Sequence, residues 1–198
     1  MAKSFIAIAA GMAMAGLAAS ASASTVNLDY LGSSTKLNGN VVESDSGSLN
    51  NVTLGSLDMQ FSGTQNGFIA WCFQFARQIA SSATYTVEAG FPSFLSSQQA
   101  DDLSRLFTGY GNETLTNRGA ASFQLAIWEI VEETKETSPG VIEYNVSTGN
   151  FQAEATSGPR AAEDANTWLA SLGQFSPDAR ITYLTSSDSQ DILTIAPI

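Results

Sequence analysis

The hydrophobic period of this chain changes twice, and the order of the changes limits the folds open to it. From Ser24 to about Gly67, short runs alternate apolar and polar residues between turns rich in Ser, Asn, Gly and Thr. Val26-Asn27-Leu28-Asp29-Tyr30 and Leu57-Asp58-Met59-Gln60-Phe61 show the period of two that marks half-buried strands. Phe68 to Phe75 is apolar on both faces. Phe68, Ala70, Cys72 and Gln74 lie on one, and Ile69, Trp71, Phe73 and Phe75 on the other, as in an interior strand. Thr84 to Ala89 reads as a further strand. Helical spacing then takes over. Ser96 or Ser97 can cap a helix carrying Leu103, Leu106, Phe107 and Tyr110. Asn117 opens a second, with Ala120, Phe123, Ile127, Trp128 and Val131 on one stripe. Pro159 to Leu172 forms a third, stopped by Gly173. Strands return at Arg180 to Thr185 and Asp191 to Ala196. This order, without βαβ alternation, predicts an α+β fold: antiparallel strands with a central insertion of about three helices. Neither a repeat nor a sharp linker divides it.

The residue inventory excludes several chemistries. Of 198 residues, 43% are hydrophobic and 10% aromatic, enough for a real core. Eight Lys and Arg face 19 Asp and Glu, a net charge of −11. That surface repels phosphate backbones and anionic lipid, so nucleic acid is not an expected partner. There is no histidine, which removes Ser-His-Asp and Cys-His catalysis and every His-ligated metal site. The single cysteine, Cys72, permits neither an internal disulfide nor a multi-thiolate metal site. No cofactor and no enzymatic activity are expected.

Residues 1–23 read as a signal peptide. Lys3 supplies a basic start, an apolar run extends from Phe5 to Leu17, and Ala21-Ser22-Ala23 is a small-residue cleavage site. The run is shorter than the roughly 20 apolar residues of a membrane span. The expected mature chain is residues 24–198, one exported domain with no membrane span, located outside the cell, on its surface or in the periplasm.

One polar side chain on the second helix needs an explanation. At about 100° per residue, Ala120, Phe123, Gln124, Ile127, Trp128 and Val131 share an arc of roughly 140°. Gln124 sits near the centre of that apolar stripe. A buried primary amide left without partners costs on the order of 1–3 kcal/mol. Two accounts are open. A neighbouring strand's backbone can satisfy the amide, as buried amides are usually satisfied. Alternatively the amide is consumed: Cys72 attacks the Gln124 carbonyl, expels ammonia and leaves an intramolecular thioester. Cys72 in turn is either that nucleophile or a small buried hydrophobe.

The segments Trp71-Cys72-Phe73 and Phe123-Gln124-Leu125-Ala126-Ile127-Trp128 resemble the two signature motifs of bacterial thioester domains. In that family a Cys follows a large apolar residue on a strand, and a Gln opens a Gln-x-Ala-Ile-Trp run on a helix. The order of the two motifs and the helical insertion between strands are similar as well, over about residues 68–172. Thr usually precedes the Gln in the Gram-positive adhesins; here Phe123 does, as in a divergent member. The resemblance implies a thioester between Cys72 and Gln124 in an exported surface protein that couples covalently to amine groups on a ligand, an adhesion-type function. A non-reactive extracellular structural or matrix protein with the same fold is the alternative. A stored thioester must be kept from water, and Trp71, Phe73, Phe123 and Trp128 are the expected shield. The mature chain carries only Lys36 and Lys135 as side-chain amines that could discharge it.

Other patterns read more plainly. Glu129, Glu132, Glu133 and Glu136 fall opposite the apolar stripe and are expected on a solvated face. Asp101 and Asp102 are expected in the first turn of their helix, where acids suit the dipole.

Overall fold

The computed structural model describes residues 23–43, 47–75, 77–134, 136–138, 141–154 and 160–198. The expected signal peptide lies outside these residues except for Ala23, and Lys135 and Pro159 lie outside them too. The fold is mixed α+β, with antiparallel strands and three α-helices. Six strands close into a barrel in the order β1 (Ser24–Gly32), β4 (Leu57–Phe61), β5 (Gly67–Cys72), β11 (Ile192–Thr194), β10 (Thr182–Thr185) and β6 (Ser82–Val87). Every pairing is antiparallel. A second sheet joins β3 (Gly47–Gly55), β2 (Lys36–Glu43) and β9 (Phe151–Glu154), and a two-stranded ribbon joins β7 (Glu136–Ser138) to β8 (Val141–Ile142).

Residues directly opposite one another in a sheet project to the same side, so the register sorts the barrel's faces. The pairs Tyr30↔Met59, Met59↔Phe68, Leu57↔Ala70, Cys72↔Ile192 and Ile192↔Leu184 place these residues on the inner face. Trp71, Leu193 and Tyr183 share the outer face. Phe123 covers that face at Trp71, the two rings 4.7 Å apart, while Ile69 on the same face is exposed. Along β1 and β4 it carries Asn27, Asp29, Asp58 and Gln60 instead.

The helices form where their caps and stripes indicate. Helix α1 (Ser97–Tyr110) opens on a capping box: the Ser96 hydroxyl accepts from the Gln99 N–H, and the Gln99 side chain accepts from the Ser96 N–H. Helix α2 (Asn117–Glu132) is capped by Thr116, which accepts from the Gly119 N–H. Helix α3 (Ala161–Ala170) is followed by a 3-10 turn, Leu172–Gln174. Tyr110 on α1 stacks on Trp168 of α3 at 4.7 Å and 12°.

Helix α2 lies at the centre of the molecule. Every residue from Gly119 to Val131 is buried, because the barrel and α1 cover one side while α3, the second sheet and segment 143–150 cover the other. The solvated face expected for its acids is therefore corrected at Glu129 and Glu133, while Glu132 is half-buried and the Glu136 side chain lies outside the described residues. Glu129 is fully buried and Glu133 is 2% exposed. An amphipathic stripe marks the side first buried, not the side left wet. Asp101 and Asp102 also lie beyond the first turn of α1, which holds no acid. Asp102 is buried, paired with Arg105 at 3.0 Å and accepting a hydrogen bond from the Tyr144 hydroxyl.

Candidate functional site

Strand β5 brings Cys72 to the edge of the barrel where β4 has run out. The pairing of β5 with β4 ends at Leu57↔Ala70, two residues short of Cys72. Backbone groups alternate sides along a strand. The Phe73 N–H points to β11, donating to the Asp191 carbonyl at 2.9 Å. The Cys72 N–H and C=O therefore point the other way, toward the place a longer β4 would occupy.

The Gln124 side chain fills that place. Its Oε1 accepts from the Cys72 N–H at 3.0 Å, and its Nε2 donates to the Cys72 carbonyl at 2.9 Å. The amide thus copies the two hydrogen bonds that a paired strand would make. Gln124 is fully buried. One of the two accounts of this amide, a backbone partner from a neighbouring strand, is what the contacts display. The partner is the peptide of the lone cysteine itself, so amide and thiol-bearing residue are immediate neighbours.

The thiol is buried, at 8% exposure. Burial pushes its pKa up to about 12, a rise eased by the Gln190 side chain and the Cys72 backbone. At neutral pH it is a thiol, not a thiolate. Cys72 lines a cleft of about 440 Å³ between the barrel mouth and the second sheet. Buried Trp128 and Gln190 form its floor with Cys72, and Asn50, Asn51 and Thr53 of β3 form an exposed rim.

The wall opposite β3 is held by the turn between β10 and β11. Asp191 accepts from the Ser186 N–H at 3.0 Å and from the Tyr183 hydroxyl at 2.9 Å, closing the turn. The Arg77 guanidinium donates to the Ser186 and Ser187 carbonyls, the Gln190 N–H to the Gln78 carbonyl, and the Tyr85 hydroxyl to Ser189. Segment 77–80 is thereby pinned beside Cys72.

All four expected shielding residues are buried, but they do different things. Trp128 shares the cleft with Cys72, and its Nε1–H has no partner among the described residues. Phe123 lies between Trp71 and Phe107, with centroids at 4.7 and 4.9 Å. Phe73 packs on Tyr183 at 4.8 Å, on the outer face of the barrel. Phe75 and Gln190, which do border the cleft, are not singled out by the sequence as shielding residues. Phe75 belonged to the same alternating stripe as Phe73, and Gln190 reaches the site only through a distant turn.

A second buried polar cluster sits further along α2. Glu129 Oε1 accepts from the Asn145 N–H at 2.6 Å, while Oε2 has no partner among the described residues. Burial, eased by that bond and reinforced by Glu133, raises the Glu129 pKa to about 8. Glu133 accepts from the Asn150 N–H at 2.9 Å. Among the described residues, no group of three His, Cys, Asp or Glu could hold a metal ion, and no helix is long and apolar enough to cross a membrane.

Comparison with protein-family models, curated proteins and solved structures finds no match for this chain. What the site does rests on its own geometry.

Proposed function

We propose that this is an exported thioester-domain protein that closes an internal thioester between Cys72 Sγ and the Gln124 side-chain carbonyl carbon, and through it couples covalently to amine groups on a surface or matrix ligand. The observation that carries this reading is the seating of the Gln124 amide on the Cys72 peptide. That seating holds the acyl group against the backbone of the residue that carries the one thiol of the chain. In the closing step Sγ bonds to the carbonyl carbon, the bond to Nε2 breaks, the thiol proton passes to Nε2, and ammonia leaves. The Cys72 N–H already points at the oxygen on which negative charge develops. Because burial keeps the thiol protonated at neutral pH, its proton moves during the attack and not before it. A ligand amine then bonds to the acyl carbon and returns a proton to Sγ. The products are an amide on Gln124 and a free thiol. The two short motifs that resemble thioester domains support the same pair of residues.

One observation favours a second reading. The two bonds from the Cys72 backbone satisfy the Gln124 carbonyl oxygen and half of its donor capacity, so a non-reactive structural or matrix protein could use this amide purely to finish the sheet edge. Incubation of the mature protein with methylamine separates the two. The thioester reading expects methylamine on Gln124 by peptide mapping and none in Cys72→Ala. An unmodified Gln124 in both proteins would favour the packing role.

A further inference from the structure

The lining of the cleft above Cys72 is chemically narrow. The chain carries 19 acidic side chains, yet among the described residues none lines this cleft, and the one charged side chain that does is the cation of Arg77. The remaining polar groups are neutral amides and hydroxyls, chiefly Asn50, Asn51, Thr53, Gln78 and Gln190, set against the rings of Tyr30 and Trp128. The volume, about 440 Å³, falls within the range of small-ligand sites.

An aromatic face beside amides and hydroxyls matches a ring that is apolar on its C–H face and dense in hydroxyls at its edge. It matches a lysine side chain poorly. A lysine ammonium finds no carboxylate here and meets a guanidinium instead. With an ordinary pKa of about 10.4, only about one lysine in 2,500 is neutral and nucleophilic at pH 7. A sugar amine is less basic, because the neighbouring C–O bonds withdraw electrons, so more of it is neutral at the same pH.

We infer that the cleft over Cys72 binds a saccharide with a free amine, a de-N-acetylated hexosamine chain, and presents that amine to the acyl group of Gln124. The covalent half rests on the thioester reading above; the recognition half does not. Asn51 and Gln78 are exposed at the rim and hydrogen-bond the sugar's hydroxyls, while the half-buried Tyr30 ring receives its apolar face and buried Trp128 only closes the floor beneath it. In the covalent step the sugar nitrogen bonds to the acyl carbon, the C–S bond breaks, and the amine proton goes to Sγ.

Two experiments on the mature protein separate the halves. In the first, Cys72→Ala, which cannot form a thioester, is titrated calorimetrically with a β-1,4-linked glucosamine tetramer. Saturable binding is expected, weakened tenfold or more when Asn51→Ala and Gln78→Ala are added to a protein whose circular dichroism is unchanged. No binding, or binding indifferent to the rim pair, overturns the inference. In the second, the wild type is offered the tetramer, methylamine or Nα-acetyl-lysine amide at equal concentration, and adducts are followed by mass. Uptake of the tetramer at least tenfold faster than of the lysine amide supports the inference, and equal rates refute it. Loss of all three adducts, methylamine included, counts against the thioester reading, and the calorimetric result still decides the recognition site.

Discussion

Replacing Glu129 by Gln should remove most of the alkaline instability of this protein. Glu129 is fully buried in the middle of α2, and its pKa rises from the ordinary 4.5 to about 8, chiefly through burial. The folded state therefore holds a proton that the unfolded chain releases at lower pH. Its stabilising contribution is complete below pH 4.5 and is lost as pH rises through about 8. Linkage at about 1.4 kcal/mol per pH unit makes the loss between pH 5 and pH 9 roughly 4 kcal/mol. That is a large share of the 5–15 kcal/mol typical of a domain. Glu129→Gln keeps an oxygen for the Asn145 N–H and cannot ionise. Urea unfolding at pH 5, 7 and 9 measures the effect. The wild-type midpoint should fall steeply across this range while the variant's changes far less. Equal slopes in the two proteins would show that Glu129 ionises in the fold at little cost, and would refute the burial argument.

Other perturbations test the site and its supports. Gln124→Leu strips the Cys72 N–H and C=O of their partners, and at about 1–3 kcal/mol for each unmet group it should lower stability by about 2–6 kcal/mol in urea unfolding. Phe123→Ala opens a cavity between Trp71 and Phe107 and should cost about 3–5 kcal/mol by the same assay. Gly149→Ala should destabilise by about 1–3 kcal/mol, because Gly149 has φ +107° and any Cβ there meets the Glu133 carboxylate; a neutral result would mean segment 143–150 is not held against α2. Cys72→Ala should cost under about 2 kcal/mol while abolishing amine uptake, which places the thiol's importance in chemistry and not in packing.

Where the physics is local, the fold was legible in the sequence. Ser96 announces the start of α1, the stripe through Phe123 and Trp128 is buried as expected, and Cys72 lies on an interior strand. The β2–β3 hairpin was only a vague promise of strands, since Gly39, Asn50 and Asn51 carry weak β propensity and the pairing is sustained by α2 beneath it. Burial of Glu129 and Glu133 escapes a helical wheel, which knows one buried face. The second is created by Asn145 and Asn150, whose N–H groups seek those carboxylates from outside the helix. The wheel flagged Gln124 as a buried amide, but its partner depends on β4 ending two residues early, a matter of register between distant segments. Gln190 reaches the cleft through the Asp191-closed turn, and nothing near it in sequence marks it.

Thiol reactivity in the native protein is a poor test of the central claim, because a buried thiol with a pKa near 12 is as silent as an acylated one. Intact mass under acidic, denaturing conditions is direct. If Cys72 and Gln124 are joined, the mature protein weighs about 17 Da less than its sequence, the mass of the ammonia expelled, and Cys72→Ala shows no deficit. A wild-type mass equal to that of its sequence, with one thiol titrating on unfolding, would contradict the thioester.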